Sequence, residues 1–237
     1  MSPKKQKLTI VIDGPAGAGK STVSQALAKK LGYLYLDSGA LYRCIALKAD
    51  EKKIPPKNTK ALFLFSKRRK IQFKKGSAKQ LVFLDGKNVT QEIRTPQVSK
   101  LASQYAKLPL VRRALLHQQR KVGQKGGIVG EGRDLGTVVF PKADLKFFLV
   151  ATLKERTKRR FLELQEKFPT QSISLPELKK EIQKRDRQDA ARALAPLKKA
   201  KDAISVDTSA MTIDEVISTL YKKINVILRA KGSKDLL

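Results

Sequence analysis

Residues 14–21 read Gly14-Pro15-Ala16-Gly17-Ala18-Gly19-Lys20-Ser21, a stretch that fits the pattern G-x-x-x-x-G-K-[ST] of a phosphate-binding loop. An apolar run at residues 8–12, typical of a buried parallel strand, precedes it, and a helical pattern follows at residues 22–31. A loop of this sequence binds phosphate when it joins a strand to a helix. The stretch therefore predicts a nucleoside triphosphate as the ligand, but it leaves motor proteins, GTPases and kinases open.

The residue types of this loop suit a phosphate for physical reasons. Glycines allow backbone N–H groups to turn inward around the anion, and the following helix presents its positive dipole end. Lys20 adds a mobile cation for the β- and γ-phosphates, and the Ser21 hydroxyl is a ligand for Mg²⁺. The alternative is a glycine-rich turn that Ser21 caps and that binds nothing. We expect the triphosphate to contact Gly14, Pro15, Ala16, Gly17, Ala18, Gly19, Lys20, Ser21 and Thr22.

Five short apolar runs alternate with helical patterns along the chain, at residues 8–12, 33–36, 127–130, 145–150 and 203–206. This alternation predicts the α/β class: a P-loop NTPase-type, five-stranded parallel sheet with helices on both faces. Ligands of such sheets bind at the carboxyl ends of the strands. Because the first three runs end in charged or small polar residues, we expect the site at those ends.

One stretch interrupts this alternation. Residues 70–74 and 80–84 are alternating or apolar, and Asp85-Gly86 forms a tight turn into residues 87–89, which predicts a small antiparallel sheet. Thr95 and Pro96 then have the types preferred at the N-cap and the first position of a helix, and Pro109 opens a second helix. We expect residues 63–96 to form a lobe inserted into the main fold.

Composition restricts the class of protein further. Hydrophobic residues make up 41% of the 237, which is enough for a core, and no apolar stretch approaches a membrane span. The single cysteine, Cys44, excludes an internal disulfide, and residues 1–7 are polar without a signal-like run. We therefore expect a cytoplasmic protein with no membrane partner.

The formal net charge of +30 invites a nucleic-acid interpretation. The basic residues are spread along the whole chain, however, with the densest stretch at residues 48–79, and aromatic residues make up only 6%. Charge of this kind attracts any polyanion weakly. A solvated basic surface is the favoured interpretation, and no specific nucleic-acid partner is expected.

Two later segments place arginines at helical spacing. Arg156, Arg159 and Arg160 lie on a helix that begins near residue 154, and the spacing puts Arg156 on one face with Arg159 or Arg160. Arg185, Asp189 and Arg192 follow the same spacing before Pro196. A solvated surface charge is the alternative for each of these arginines.

Four blocks together resemble the bacterial cytidylate kinases, which belong to the P-loop nucleoside monophosphate kinases. The four blocks are the phosphate loop and the stretches at residues 36–43, 130–141 and 185–197. The phosphate loop is shared by many kinases, whereas the block from Asp37 to Arg43 and the block from Gly132 to Thr137, in this order, are much more specific. The resemblance runs from about residue 7 to 228. One departure is Ala16, where members of the family often have serine.

The resemblance implies transfer of a phosphoryl group from ATP to CMP or dCMP, with Mg²⁺. Carried over by position, Arg43, Arg133 and Arg192 hold the acceptor phosphate, Ser103, Arg112 and Asp134 contact the cytosine, Arg185 and Asp189 hold the sugar hydroxyls, and Ser38 lines the same pocket. Lys20 and the loop amides hold ATP, and Arg156 and its neighbours on a short lid close over the transferring phosphoryl group. The catalytic set is therefore Lys20, Arg43, Arg133, Arg156 and Arg192.

The same resemblance implies one kinase unit over residues 1–237, and we expect it to be a monomer. Its core would comprise residues 7–62 and 97–228, its monophosphate-binding insert residues 63–96, and its short lid residues 154–170. Two alternatives stay open. One is another P-loop small-molecule kinase, for a different monophosphate or for shikimate, and the other is a basic P-loop protein that binds nucleic acid.

Overall fold

The computed structural model of the protein describes residues 7–57, 59–74, 76, 80–170 and 172–230. The strands are β1 (Thr9–Asp13), β2 (Leu34–Asp37), β3 (Ile71–Lys74), β4 (Leu81–Leu84), β5 (Lys87–Asn88), β6 (Ile128–Gly132), β7 (Leu145–Val150) and β8 (Ile204–Asp207). The helices are α1 (Lys20–Leu31), α2 (Ser38–Glu51), α3 (Lys60–Lys67), α4 (Pro96–Tyr105), α5 (Pro109–Gly123), α6 (Leu153–Lys167), α7 (Leu175–Ala190) and α8 (Ile213–Ala230). A turn of 3₁₀-helix lies at Glu92–Arg94 and a turn of π-helix at Leu135–Val139.

A five-stranded sheet in the order β2-β6-β1-β7-β8 confirms the predicted α/β fold. β1 pairs in parallel with β6, where Thr9 lies opposite Ile128, and on its other edge with β7, where Ile10 lies opposite Leu145. Ile10 and Val11 are fully buried, although their side chains point to opposite faces of the strand. Burial on both faces is typical of a parallel strand, and it explains the continuous apolar run in the sequence.

The chain divides into two compact units, and the first comprises Met1–Leu34 and Gly126–Leu237. It contains β1, the phosphate loop and α1, and in it α1 packs against β6 and α8 while α6 packs against α7. Val216, Leu220 and Ile224 of α8 are buried at four-residue spacing, which gives this helix one apolar face. α1 begins at Lys20 rather than at residue 22, because Gly19 adopts a left-handed conformation as its N-cap.

The second unit comprises Tyr35–Lys125 and contains the predicted antiparallel sheet, in the order β3-β4-β5. Asp85 and Gly86 have φ of 50° and 90°, as the tight turn between β4 and β5 requires. Val82 of β4 packs with Cys44 of α2 in the core of this unit. Burial raises the pKa of the Cys44 thiol to about 12, so the thiol stays protonated and unreactive.

Predicted helix starts in this unit are confirmed. The Thr95 hydroxyl accepts a hydrogen bond from the Val98 N–H at 3.3 Å, Pro96 is the first residue of α4, and Pro109 opens α5. The predicted lid at residues 154–170 falls mostly on α6. Its limits, and those of the insert at residues 63–96, remain predictions.

Across the described part of the chain, no helix combines the length and the apolar character that a bilayer crossing requires.

Candidate active site

The phosphate loop lies between β1 and α1, and other elements of the first unit pack closely against its glycines. Gly14 has a φ of 149°, and a Cβ atom there would lie 2.2 Å from the Leu149 carbonyl oxygen. At Gly17, with a φ of 77°, a Cβ atom would lie 2.9 Å from the carbonyl oxygen of Arg156. Both positions therefore need glycine for conformation and for space. The loop is thus fitted against the end of β7 and the first turn of α6.

Lys20 is the first residue of α1, and its side chain is buried. Its ammonium group donates a hydrogen bond to the Pro15 carbonyl oxygen at 2.6 Å, across the loop. Burial, helped by the positive charge of Arg133, lowers the pKa of Lys20 to about 7, although the Glu131 carboxylate opposes this shift. A buried cation with few compensating anions is ready to pair with a phosphate.

Asp13, the last residue of β1, anchors the turn that follows β6. Its two carboxylate oxygens accept hydrogen bonds from the N–H groups of Leu135 at 3.0 Å and Gly136 at 2.7 Å. Burial nevertheless raises the pKa of Asp13 to about 6. Because Arg133 and Asp134 immediately precede the two anchored residues, Asp13 fixes the part of the backbone from which these predicted site residues project.

Asp189 binds two of the predicted phosphate-binding arginines. Arg133 Nε donates to Asp189 Oδ2 at 3.0 Å, and Arg192 Nη2 donates to Asp189 Oδ1. Burial alone would raise the pKa of Asp189, but Arg133, Arg192 and Arg185 together outweigh it and hold that pKa below its ordinary value. The predicted group of Arg185, Asp189, Arg192 and Arg133 is therefore brought together, with the carboxylate bound to two of its guanidinium groups. Arg192 lies beyond the end of α7, which stops at Ala190.

Arg156, in the first turn of α6, is bound to the phosphate loop. Its Nη1 donates to the Ala16 carbonyl oxygen at 3.0 Å and also to Asp186 Oδ2 on α7. Asp186 Oδ1 in turn accepts a hydrogen bond from the Ala16 N–H at 3.2 Å. The carbonyl oxygen of Ala16 is thus bonded to a cation on α6, and its N–H group is bonded to an anion on α7.

Arg159 and Arg160, the neighbours of Arg156 on α6, have other partners. Arg159 pairs with Glu155 at 3.0 Å and donates to the hydroxyl and the carbonyl oxygen of Thr208, at 3.0 Å and 2.6 Å. Arg160 pairs with Glu163 at 2.8 Å. Of the arginines predicted on this helix, Arg156 is the one hydrogen-bonded to the backbone of the phosphate loop.

In the second unit, Asp37 organises the start of α2. One carboxylate oxygen accepts the Ala40 N–H at 2.9 Å as the helix N-cap, and the other pairs with Arg43 Nη1 at 3.1 Å. Burial would raise the pKa of Asp37, but Arg43, Arg94 and the Ala40 N–H outweigh it and lower that pKa. Ser38 is buried beside this cap. The predicted phosphate ligand Arg43 is therefore held one turn along α2 by a fixed carboxylate.

Ser103 and Arg112 lie on two different helices of the second unit. The Ser103 hydroxyl donates to the Ser99 carbonyl oxygen at 3.2 Å within α4. Arg112, on α5, is buried, donates to the Ala106 carbonyl oxygen at 2.9 Å, and lies 5.4 Å from the centre of the Tyr42 ring. The guanidinium plane is thus held by a carbonyl oxygen and an aromatic face.

Comparison with known proteins decides the family. Residues 10–226 match the family model described as cytidylate kinase. The chain belongs to the cytidylate kinase family. It is 47% identical to a cytidylate kinase of Limosilactobacillus reuteri (strain DSM 20016) over 91% of this chain and 94% of that one. It is 46% identical to a cytidylate kinase of Caldicellulosiruptor bescii over 92% of this chain and 95% of that one. These findings confirm the resemblance that the sequence blocks indicated.

Sequence reasoning missed the part played by three carboxylates of this cytidylate kinase family member, each of which binds a predicted site residue or the backbone beside one. Asp37 has a local signal, because aspartate directly before a helix is a preferred N-cap. Asp13 and Asp186 have none. Asp13 accepts hydrogen bonds from residues 122 and 123 positions later in the chain, and Asp186 accepts one from a residue 170 positions earlier. Contacts of that separation leave no periodic pattern in the sequence.

Proposed function

We infer that the protein transfers the γ-phosphoryl group of ATP to CMP or dCMP and releases ADP with CDP or dCDP. The observation that carries this inference is the match to the cytidylate kinase family over residues 10–226. The geometry of the first unit supports it, because a phosphate loop with a buried lysine accompanies a cluster of arginines around Asp189.

The donor nucleotide occupies the phosphate loop. The loop, residues 14–22, surrounds its phosphates: backbone N–H groups other than those of Pro15, which has none, and Ala16, which donates to Asp186, bind them together with the N-terminus of α1. Lys20 neutralises charge on the β- and γ-phosphates. Arg156 of the proposed lid, residues 154–170, adds a cation at the transferring phosphoryl group. Its present bond to the Ala16 carbonyl oxygen supports this role, because it keeps the guanidinium next to the loop.

Mg²⁺ fits this donor site. Ser21 is an exposed residue in the first turn of α1, and a hydroxyl oxygen is a ligand of the kind that Mg²⁺ takes. Magnesium needs few protein ligands when nucleotide phosphates and water supply the others. Among the described residues there is no cluster of three or more histidine, cysteine or acidic side chains that could hold a metal ion. When bound, Mg²⁺ supplies charge neutralisation for the phosphates.

We propose that Arg43, Arg133 and Arg192 bind the acceptor phosphate, as the resemblance to the family implies. Arginine suits this task because its planar fork binds phosphate oxygens in pairs. Asp189 supports the proposal, because it holds two of these guanidinium groups and still has oxygen lone pairs for a sugar hydroxyl. Arg185 and Asp189 would hold the sugar, Ser103, Arg112 and Asp134 the cytosine, and Ser38 the same nucleotide.

The chemistry needs alignment and charge neutralisation and no general base. The attacking group is a phosphate oxygen of the acceptor, which is already an anion at neutral pH. Two anionic phosphates must approach each other, and this requires several cations at fixed positions. The arginines that Asp37 and Asp189 hold are such cations, because their side chains are ordered before the substrates arrive.

Some features of the proposal concern organisation. The insert at residues 63–96 binds the monophosphate, the protein acts as a monomer in the cytoplasm, and its basic surface has no specific nucleic-acid partner. Size-exclusion chromatography with light scattering tests whether the protein is a monomer. Binding of RNA or DNA at increasing salt tests whether the basic surface has a specific nucleic-acid partner. Binding is expected to be lost near physiological salt, because loose polyanion attraction is screened there whereas a specific complex persists.

A coupled kinase assay with a panel of acceptors tests the function. The panel comprises CMP, dCMP, UMP, AMP and shikimate, each with ATP and Mg²⁺. CMP or dCMP is expected to have the highest kcat/KM. If UMP, AMP or shikimate exceeds both, the protein is a different small-molecule kinase.

Replacing Asp134 tests how the base is recognised. Asp134→Ala is expected to raise KM for CMP at least tenfold and KM for ATP less than threefold, because a carboxylate that accepts from the cytosine amino group contacts one substrate alone. Steady-state kinetics with each substrate varied in turn measure both constants. Equal changes in the two KM values would show that Asp134 has a structural role.

ATP binding is expected to take up a proton at pH 8. With a pKa of about 7, Lys20 is mostly neutral at that pH, and an adjacent phosphate raises its pKa and restores the charge. Calorimetric titration in two buffers of different ionisation enthalpy, with Mg²⁺ in excess, measures the uptake. The same titration at pH 6 is the control, because Lys20 is then already charged. Equal proton uptake at pH 6 and pH 8 would contradict the lowered pKa of Lys20.

A further inference from the structure

Asp186 lies at a junction of three elements of the first unit. Its carboxylate accepts from Arg156 of α6 with one oxygen and from the Ala16 N–H of the phosphate loop with the other, at 3.2 Å. Arg156 closes the triangle through its 3.0 Å bond to the Ala16 carbonyl oxygen. The contact is shielded from solvent, since the side chains of Arg156 and Asp186 are 10% and 19% exposed.

The packing around this junction leaves the loop and the arginine little freedom to move independently. Arg156 Nε is also bound to the Ala151 carbonyl oxygen at 3.0 Å, which fixes the base of its guanidinium group. Gly17, the next loop residue, approaches the backbone of Arg156 so closely that a Cβ atom would lie 2.9 Å from its carbonyl oxygen. A carboxylate that binds both partners therefore sets the arginine and the loop in one arrangement.

We propose that Asp186 is a positioning residue of the donor site: it holds the Arg156 guanidinium and the loop backbone at Ala16 in register for phosphoryl transfer. It acts through these two groups and contacts neither substrate. The proposal rests on the role given above to Arg156. It also explains how Ala16, which has no side-chain hydrogen-bonding group, is held in place: both of its backbone polar groups have a partner at this junction.

Two substitutions separate the two bonds of Asp186. Asp186→Asn keeps one oxygen for the Ala16 N–H but loses the negative charge that pairs with Arg156, whereas Asp186→Ala loses both. Both variants are expected to lower kcat by about tenfold to a hundredfold, the usual effect of a lost charged hydrogen bond. KM for ATP is expected to rise at least fivefold in Asp186→Ala and less than twofold in Asp186→Asn. KM for CMP is expected to change less than twofold in either.

A double-substitution cycle shows whether Asp186 acts through Arg156. In an Arg156→Ala background, adding Asp186→Ala is expected to reduce kcat less than threefold, because the positioned group is already gone. If the fold reduction of kcat in the double variant equals the product of the reductions in the two single variants, the proposal is overturned. Equal KM values for ATP in Asp186→Ala and Asp186→Asn would also overturn it. A wild-type kcat in the Arg156→Ala variant alone would reject the role proposed for Arg156. The KM values for ATP in the two Asp186 variants would then still show whether Asp186 holds the loop backbone at Ala16.

Matched controls separate positioning from stability. Glu181→Gln removes an exposed carboxylate from the same helix and is expected to leave kcat and both KM values unchanged. Thermal unfolding of every variant shows whether the protein is folded at the assay temperature. Asp186→Asn preserves the size of the side chain, so a loss of kcat in that variant without a lower Tm identifies positioning. A loss of kcat that appears only in variants with a lower Tm would overturn the proposal.

Discussion

Lys20→Ala is expected to reduce kcat by about a hundredfold to a thousandfold, which is the usual cost of removing one preorganised group that stabilises transition-state charge. Lys20 is buried, and its ammonium group lies across the phosphate loop, bonded to the Pro15 carbonyl oxygen at 2.6 Å. Because it is already buried, we expect it to neutralise charge on the moving phosphoryl group without first losing water. Steady-state kinetics at saturating CMP and ATP measure the effect.

Lys29→Ala is the matched control for this substitution, because Lys29 is an exposed lysine on the same helix. It is expected to keep wild-type kcat. Near-wild-type turnover in Lys20→Ala would show that the loop lysine has no part in transfer. Lys20→Ala is also expected to be no less stable than the wild type, because burial of the lysine lowers its pKa to about 7 and thus opposes its charged form.

The fold was predictable because its signals are local. Continuous apolar runs indicated strands that are buried on both faces, as Ile10 and Val11 are. Thr95-Pro96 and Asp85-Gly86 indicated a helix start and a turn through their own conformational preferences, and the structure has both. In each case the relevant partners lie within a few residues of one another.

The site was predictable where it depends on a motif and not where it depends on packing. The loop sequence indicated Lys20 and its glycines, and the spacing of Asp189 and Arg192 indicated one shared side. That Arg133 joins Asp189 depends on a contact between residues 56 positions apart. The bond from Ala16 to Asp186 spans 170 positions. Such anchors follow from how β1, α6 and α7 pack, which the residue pattern does not describe.

Asp189→Asn is expected to destabilise the protein by about 3–5 kcal/mol at pH 7, the range found when one partner of a buried ion pair is removed. The substitution keeps the size of the side chain but removes the charge that holds Arg133 and Arg192, and the remaining guanidinium groups then repel one another. KM for CMP is expected to rise as well, because two proposed phosphate ligands lose their shared partner. Denaturant unfolding and steady-state kinetics measure these effects.

The pH dependence of this loss identifies its cause. The neighbouring arginines hold the pKa of Asp189 below its ordinary value of 3.8, so its charge stabilises the native state fully above that value and less as the pH falls below it. The stability gap between wild type and Asp189→Asn is therefore expected to narrow between pH 7 and pH 3, by up to about 1 kcal/mol. Glu166→Gln, which removes an exposed carboxylate on α6, is the control and is expected to change stability by less than about 0.5 kcal/mol. A gap of the same size at both pH values would mean that shape, rather than charge, makes Asp189 necessary, and the two arginines would then be ordered by packing alone.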